Sequence, residues 1–304
     1  MLASRSFTAL SSRIVGPSIL NFSAAASASS STTEEANSSD LVLVSRDASD
    51  IVTVTLNNPK KHNSLNWEMF NAIADTAETL SNDSTVRAVI LHGNGKSFCS
   101  GLDVPSMAKN PMTAAKLLDR PHKTPKSNLA QDVGYMWRQC PFPVIAAIHG
   151  RCYGGGLQIA MGADFRYSTP DCEYSIMEAK WGIIPDMSGT VTLRDVGRLD
   201  WIKELAMTAR VIKGDEAVKV GFVSRVVEEP MVEAQKVAEE LASRSPDAVA
   251  LTKKLFQETW IDMNEKEALE METNLQKKLI PSWNQLAASA KNFKVNVPYT
   301  KRSV

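Results

Sequence analysis

The chain has 304 residues, 43% hydrophobic and 22% charged, with 34 Lys+Arg balancing 34 Asp+Glu. A formal net charge of zero argues against a general nucleic-acid binder, which carries a basic excess, and no apolar run approaches the ~20 residues of a membrane-spanning helix. The composition suits a globular chain with one large core or two smaller ones.

Residues 1–38 stand apart. They hold Arg5 and Arg13, abundant Ser and Ala, and no acidic residue before Glu34. That is the composition of an Arg-bearing organelle-import leader, with the mitochondrial matrix as the expected destination and a plastid as the alternative. A plain disordered tail is the competing reading, since Ser/Ala-rich segments cannot bury a core. The C-terminal KRSV is not a peroxisomal SKL-type address.

From Leu41 the pattern becomes structured. LVLVSRD (41–47) and IVTVTLN (51–57) read as two short strands, the second alternating Val52/Val54/Leu56 with Thr53/Thr55 around an Ala-Ser-Asp turn. In 63–80, Trp67, Phe70, Ile73, Ala74, Ala77 and Leu80 fall at spacings of three and four, predicting an amphipathic helix. VRAVILHG (86–93) and PVIAAIHG (143–150) are continuous apolar runs of strand length, as in strands covered on both faces. Residues 105–127 lack periodicity and read as an irregular helix–loop excursion near a site. Beyond residue 200 the runs 201–221, 230–246 and 246–279 read as helical, packing on a partner or on the core. Strands alternating with helices imply an α/β architecture.

Several signatures are absent. GNGKS (93–97) imitates the end of a P-loop, but Ile90 stands where its first glycine belongs. No GxGxxG, HExxH or GxSxG occurs, so dehydrogenase, kinase and hydrolase readings lose their usual support, and no metal site is expected. Cys99, Cys140, Cys152 and Cys172 form no CxxC pair and read as reduced, buried thiols.

What remains is a strand–turn–glycine–helix passage, PVIAAIHGRCYGGGLQIAMGAD (143–164). Its three glycines either let main-chain N–H groups approach a developing negative oxygen or only permit tight helix–strand packing. GKSFCSGLD (95–103) repeats the design, so two loops could aim two N–H groups at one carbonyl.

Taken together, NNPKKHNSLN (57–66), GNGKSFCSGLDVPSM (93–107), PVIAAIHGRCYGGGLQIA (143–160) and YSIMEAKWGIIPDMSGT (174–190) resemble the crotonase superfamily, the enoyl-CoA hydratases and isomerases. The resemblance runs from about residue 41 to the helical tail. It implies a ββα spiral core at 39–236, a C-terminal helical region at 237–304 used for trimerisation, and a homotrimer or dimer of trimers. It also implies acyl-CoA thioester substrates and no cofactor beyond the coenzyme A of the substrate. An oxyanion hole maps onto the N–H groups of Leu102 and Gly155. Asn63, Ser64 and Leu65, with Ser100, Gly101, Asp103 and Val104, would line the substrate site.

The acids separate members of that family. Hydratases resembling this chain use two glutamates; here the first position is Gln158, an amide that cannot be a general base but can bind a water or a neighbouring carboxylate, and the second is Glu178. Single-glutamate members move a double bond. Glu178 is therefore the expected base, against a capping or salt-bridging role. Asp186, eight residues on, matches the second acid of the dienoyl-CoA isomerases, the subgroup this chain most resembles, or is a turn aspartate after Pro185. The dienoyl isomerases carry Asp where Gln158 stands. Met161, Trp181 and Met187 are assigned no role. The expectation is an acyl-CoA double-bond isomerase of β-oxidation; the alternatives are an enoyl-CoA hydratase and a catalytically weak acyl-CoA-binding homologue.

Overall fold

The computed structural model describes residues 40–109 and 111–304; the leader reading of 1–38 lies outside the described residues. Strands β1 (Val42–Arg46) and β2 (Ile51–Leu56) form an antiparallel hairpin pairing Val42 with Leu56 and Arg46 with Val52. Asp47 closes its turn by accepting from Ser49 N and Ile51 N at 2.8 and 3.0 Å. Helix α1 (Trp67–Ser81) starts where Asn66 accepts from Met69 N, and buries Met69, Phe70, Ile73, Ala74, Ala77 and Leu80 as the spacing predicts.

The chain then alternates between two sheets. β3 (Ala88–Gly93) joins β2 in parallel. Helices α2 (Val104–Ala108), α3 (Pro111–Lys116) and α4 (Leu129–Gln139) lead to β4 (Val144–Ile148), parallel to β3. β5 (Arg151–Tyr153) leaves for the second sheet, α5 (Gly155–Ala160) returns, and β6 (Phe165–Ser168) pairs with β4. β7 (Glu173–Ser175) again pairs with β5. The 3-10 turn Glu178–Trp181, α6 (Gly189–Thr192) and α7 (Leu199–Thr208) precede β8 (Ile212–Lys213), α8 (Gly214–Val220) and β9 (Arg225–Val226). The sheet orders are β1-β2-β3-β4-β6-β9 and β5-β7-β8. This winding is the expected ββα spiral.

The large sheet is apolar on both faces, which explains the unbroken hydrophobic runs of β3 and β4. Val89, Leu91, Val144, Ala146 and Ile148 pack into the main core, while Ile90, Ile145, Ala147 and Tyr167 meet Ala234 and Ala238 of α9 (Pro230–Ala242) on the opposite face. The 236/237 boundary read from the sequence therefore falls inside a sheet-covering helix; the peripheral helices begin after Ala242. They are α10 (Pro246–Thr259), α11 (Glu265–Leu279) and α12 (Trp283–Asn292).

Two helical readings need correction. The run 201–221 is split by β8, whose pairing with β7 overrides its local pattern. The run 246–279 breaks between α10 and α11, where the Asn264 side chain accepts from Glu267 N at 3.1 Å and starts a new helix. All four cysteines are free and buried, and burial pushes the Cys99 and Cys140 thiols up to about 12. Among the described residues, no helix is long and apolar enough to cross a membrane, and no three His, Cys, Asp or Glu side chains converge as metal ligands would.

Candidate active site

A cavity of about 450 Å³ lies between helices α1, α2 and α4, the loops at 100–102 and 153–155, and the 177–187 segment. Its floor is the meeting of two glycine loops. Leu65 and Leu102 form an isolated parallel bridge in which Leu65 N–H donates to Gly101 O (2.8 Å) and Asp103 N–H to Leu65 O (2.9 Å). In a parallel ladder the paired residue itself points its N–H the other way, so the Leu102 amide faces away from Leu65. Across from it, Gly155 N–H is the first of α5, and a first helical amide has no intrahelical acceptor. Among the described hydrogen bonds, neither the Leu102 nor the Gly155 N–H has an acceptor in the protein.

The loops approach closely because glycines stand at the contact. A Cβ on Gly101, at φ +86°, would lie 2.7 Å from Tyr153 O and 3.4 Å from Gly155 N. Gly154, at φ +49°, turns the chain into α5 while its N–H donates to Ser175 O at 2.9 Å. Two free amides are thus brought side by side beneath one cavity.

Glu178, the first residue of the 3-10 turn, sits directly beside them: a Cβ on Gly154 would be 3.5 Å from Glu178 Oε1. The side chain is 6% exposed. Its Oε1 accepts from Gln158 Nε2 at 2.5 Å; its Oε2 is buried without a hydrogen-bond partner among the described residues. Burial pushes the carboxyl above the usual glutamate range, and the Asp186 charge adds to the push. The residue's own backbone N–H and the Gln158 amide oppose it. Asp186, half-buried on the same cavity wall, is also raised by burial.

Gln158 is 1% exposed and lies behind Glu178. Its Oε1 accepts from both Met187 N and Gly189 N at 2.9 Å, so both lone pairs of that oxygen are used. It has no acceptor left with which to activate a water.

The structure brings together Leu102, Gly155, Glu178, Asp186, Ser100, Gly101 and Val104 around the cavity. Five other predicted site residues stand behind its wall. Asn63 is fully buried and spends its amide on the chain, donating to Asn94 O, Ser97 O and Phe98 O at 3.0, 2.8 and 3.1 Å and accepting from Asn58 N at 2.8 Å. Ser64 and Leu65 are buried beside it, Leu65 through its bridge to Leu102. Asp103 caps α2 at Ser106 N (3.2 Å) and pairs with Lys61 Nζ (2.8 Å). Gln158 completes the five. For these positions the buried, hydrogen-bonded geometry replaces direct lining by support of the lining.

The apolar lining includes residues that received no role from the sequence. Trp181 and Met187 line the cavity, whereas Met161 is core. Phe70, Met107, Leu117 and Ala130 supply further apolar wall, and Lys180 stands with Trp181 at the rim. The stretch after α2, unreadable by period, thus does border the site. Tyr153 also lines it; its hydroxyl donates to Glu173, and its phenol is pushed up to about 12 chiefly by burial.

The family model described as Enoyl-CoA hydratase/isomerase matches residues 46–294. A mouse protein named mitochondrial Delta(3,5)-Delta(2,4)-dienoyl-CoA isomerase is 33% identical over 213 residues, covering 66% of this chain and 63% of the relative, slightly under two thirds of its length. An Arabidopsis thaliana protein named peroxisomal Delta(3,5)-Delta(2,4)-dienoyl-CoA isomerase is 32% identical over 212 residues, covering 67% and 76%. A crystal structure of an enoyl-CoA hydratase from Bacillus anthracis superposes with a TM-score of 0.76 at 27% identity, covering 86% of this chain and 99% of that one.

Proposed function

The chain belongs to the enoyl-CoA hydratase/isomerase family, and from that premise we propose that it is an acyl-CoA double-bond isomerase acting on enoyl- or dienoyl-CoA thioesters in fatty-acid oxidation. The observation that carries the reading is the inequality of the two positions that would both be acids in a hydratase. Glu178 keeps one free, buried oxygen, while Gln158 has no acceptor to spare.

In the proposed reaction the thioester oxygen lies between the Leu102 and Gly155 N–H groups. Glu178 takes a proton from the carbon next to the thioester; the C–H electron pair forms a double bond to the thioester carbon, and the carbonyl pair moves onto the held oxygen. Asp186, entering the reaction protonated, returns a proton at the far carbon as charge flows back from the held oxygen along the conjugated chain. The proton on Glu178 then passes to Asp186, directly or through water, and both groups are restored. One hydrogen has moved, one double-bond system has shifted, and nothing is oxidised. A single base and a single donor suffice, without a cofactor beyond the substrate's coenzyme A. Loss of one oxyanion donor in such sites costs ~10²–10³ in rate.

Location and assembly belong to the same proposal. The leader composition of residues 1–38 and the mitochondrial name of the mouse relative support the mitochondrial matrix; the Arabidopsis relative's name makes a peroxisome the alternative to exclude by fractionation. A homotrimer or dimer of trimers would cover exposed Phe256, Trp260, Trp283 and Phe293 on and beside α10 and α12, apolar groups that otherwise face water. Sedimentation gives the copy number.

The deciding experiment presents purified protein with 3,5-dienoyl-, 3-enoyl- and 2-enoyl-CoA. The expected result is an ultraviolet shift to the 2,4-diene that Glu178→Gln slows by ~10²–10⁴. Hydration of crotonyl-CoA at ordinary enzymatic rates with no diene shift would select the hydratase alternative. Thioester binding with no turnover would select the weak homologue.

A further inference from the structure

The geometry points to Gln158 as a positioning residue, a donor that cannot titrate and that keeps the Glu178 carboxyl in one orientation, Oε1 held to the amide, across the working pH range. The inference rests on Glu178 being the base; the proposed reaction itself demands of residue 158 only that it is no second base.

The two ends of the amide are fixed by their partners. Two backbone donors, Met187 N and Gly189 N at 2.9 Å, require an oxygen between them, so the nitrogen must face Glu178 Oε1. The approach leaves no slack: a Cβ on Gly189 would lie 2.8 Å from Gln158 Oε1. Helix α5 holds one side of the residue and the 182–189 loop the other, so the side chain is locked at its far end as well as at its backbone. With Oε1 of Glu178 tied down, the carboxyl cannot rotate freely, and its second oxygen is left buried without a partner among the described residues.

A carboxylate at 158 would accept the same two N–H bonds but differ in one respect. It could donate to Glu178 only while one of the two acids held a proton, because two carboxylates in contact share a proton until both ionise. The orientation of Glu178 would then depend on pH; the amide removes that dependence. The other titratable groups that line the cavity with Glu178 are Asp186 from the 182–189 loop, whose charge acts on it, Lys180 from its own turn and Tyr153 from β5. Helix α5 contributes no charge, and Tyr153 is engaged with Glu173.

The test is a carbon NMR titration of the folded, substrate-free protein labelled at glutamate carboxyls, with Glu178→Gln used to assign the signal. In the parent, Glu178 should titrate as a single step. In Gln158→Glu, which keeps the clamp on residues 187 and 189, two coupled steps are expected, the upper more than about one pH unit above the parent value. The kcat/KM profile should gain an alkaline limb at that upper step. In Gln158→Met the lost donor should also move Glu178 upward. If residue 158 only braces the loop, Glu178 titrates in both variants where it does in the parent and no new limb emerges, which overturns the inference. Because the titration needs no turnover, failure of the isomerase reading would show separately, as a parent protein without a diene shift.

Discussion

Leu65 and Leu102, 37 positions apart in sequence, are bonded as neighbours in a parallel bridge that uses Gly101 O and Asp103 N rather than the Leu102 amide. The bridge fixes where the Leu102 N–H points, and Gly101 fixes how near it comes to Gly155. The floor of the cavity, where the proposed charge-holding amides lie, is therefore a matter of backbone register.

Gly101→Ala tests that register. At φ +86° with Tyr153 O at 2.7 Å from the added carbon, alanine must push the two loops apart or twist its own backbone. Strain of this kind costs about 1–3 kcal/mol, and misplacing one donor should lower kcat by ~10²–10³. Steady-state kinetics paired with thermal melting check it; full activity at lowered stability would show that the spacing of the loops is immaterial.

Glu178→Gln should separate activity from stability. The folded protein holds this carboxyl above its ordinary range, so it keeps a proton that the unfolded chain has already released. That contribution favours the folded state at low pH and is lost as pH rises from the ordinary glutamate value through the raised one. The variant should show a flatter stability profile across that window and be no less stable than the parent at neutral pH. Urea unfolding at a series of pH values measures this.

Asp186→Asn removes the proposed remote donor and, at pH values where that carboxyl is ionised, the negative charge that adds to the rise of Glu178. Two effects are expected together: a fall in diene isomerisation of ~10² or more, and an acid limb of kcat/KM displaced to lower pH. A limb that stays put would mean that the two carboxyls do not sense each other.

Asn63→Ala should act on stability first. It strands the buried carbonyls of Ser97 and Phe98, besides freeing the more accessible Asn94 carbonyl and Asn58 N–H, and each buried orphan costs roughly 1–3 kcal/mol. A lowered urea midpoint with unchanged slope is expected; a neutral effect would require water to enter the space.

The parts of the fold legible in the sequence are those with a strong period. Helix α1 and strands β2, β3 and β4 lie within the segments that spacing and apolar runs indicate. β5, β7, β8 and β9 are two or three residues long and exist through pairing with distant partners, which no local pattern records. The gap between α10 and α11 has no Gly or Pro to announce it; the readable signal was Asn264 with Glu267 three residues on, a helix start inside a helical run. In the site, Glu178 and Asp186 were legible as acids at a motif spacing. Asn63 and Gln158 were not legible in their observed roles, since their partners are main-chain groups of 94–98, 187 and 189 that only the folded chain brings near.

Because the proposed grip on the thioester oxygen comes from main-chain amides, no codon specifies it directly. Replacement of the Leu102 side chain leaves its N–H in place, so mutation can rewrite the acids around the cavity while the clamp passes on intact. A scaffold built this way is free to exchange one proton-moving chemistry for another in single steps, and the amide at residue 158 is a change of that size.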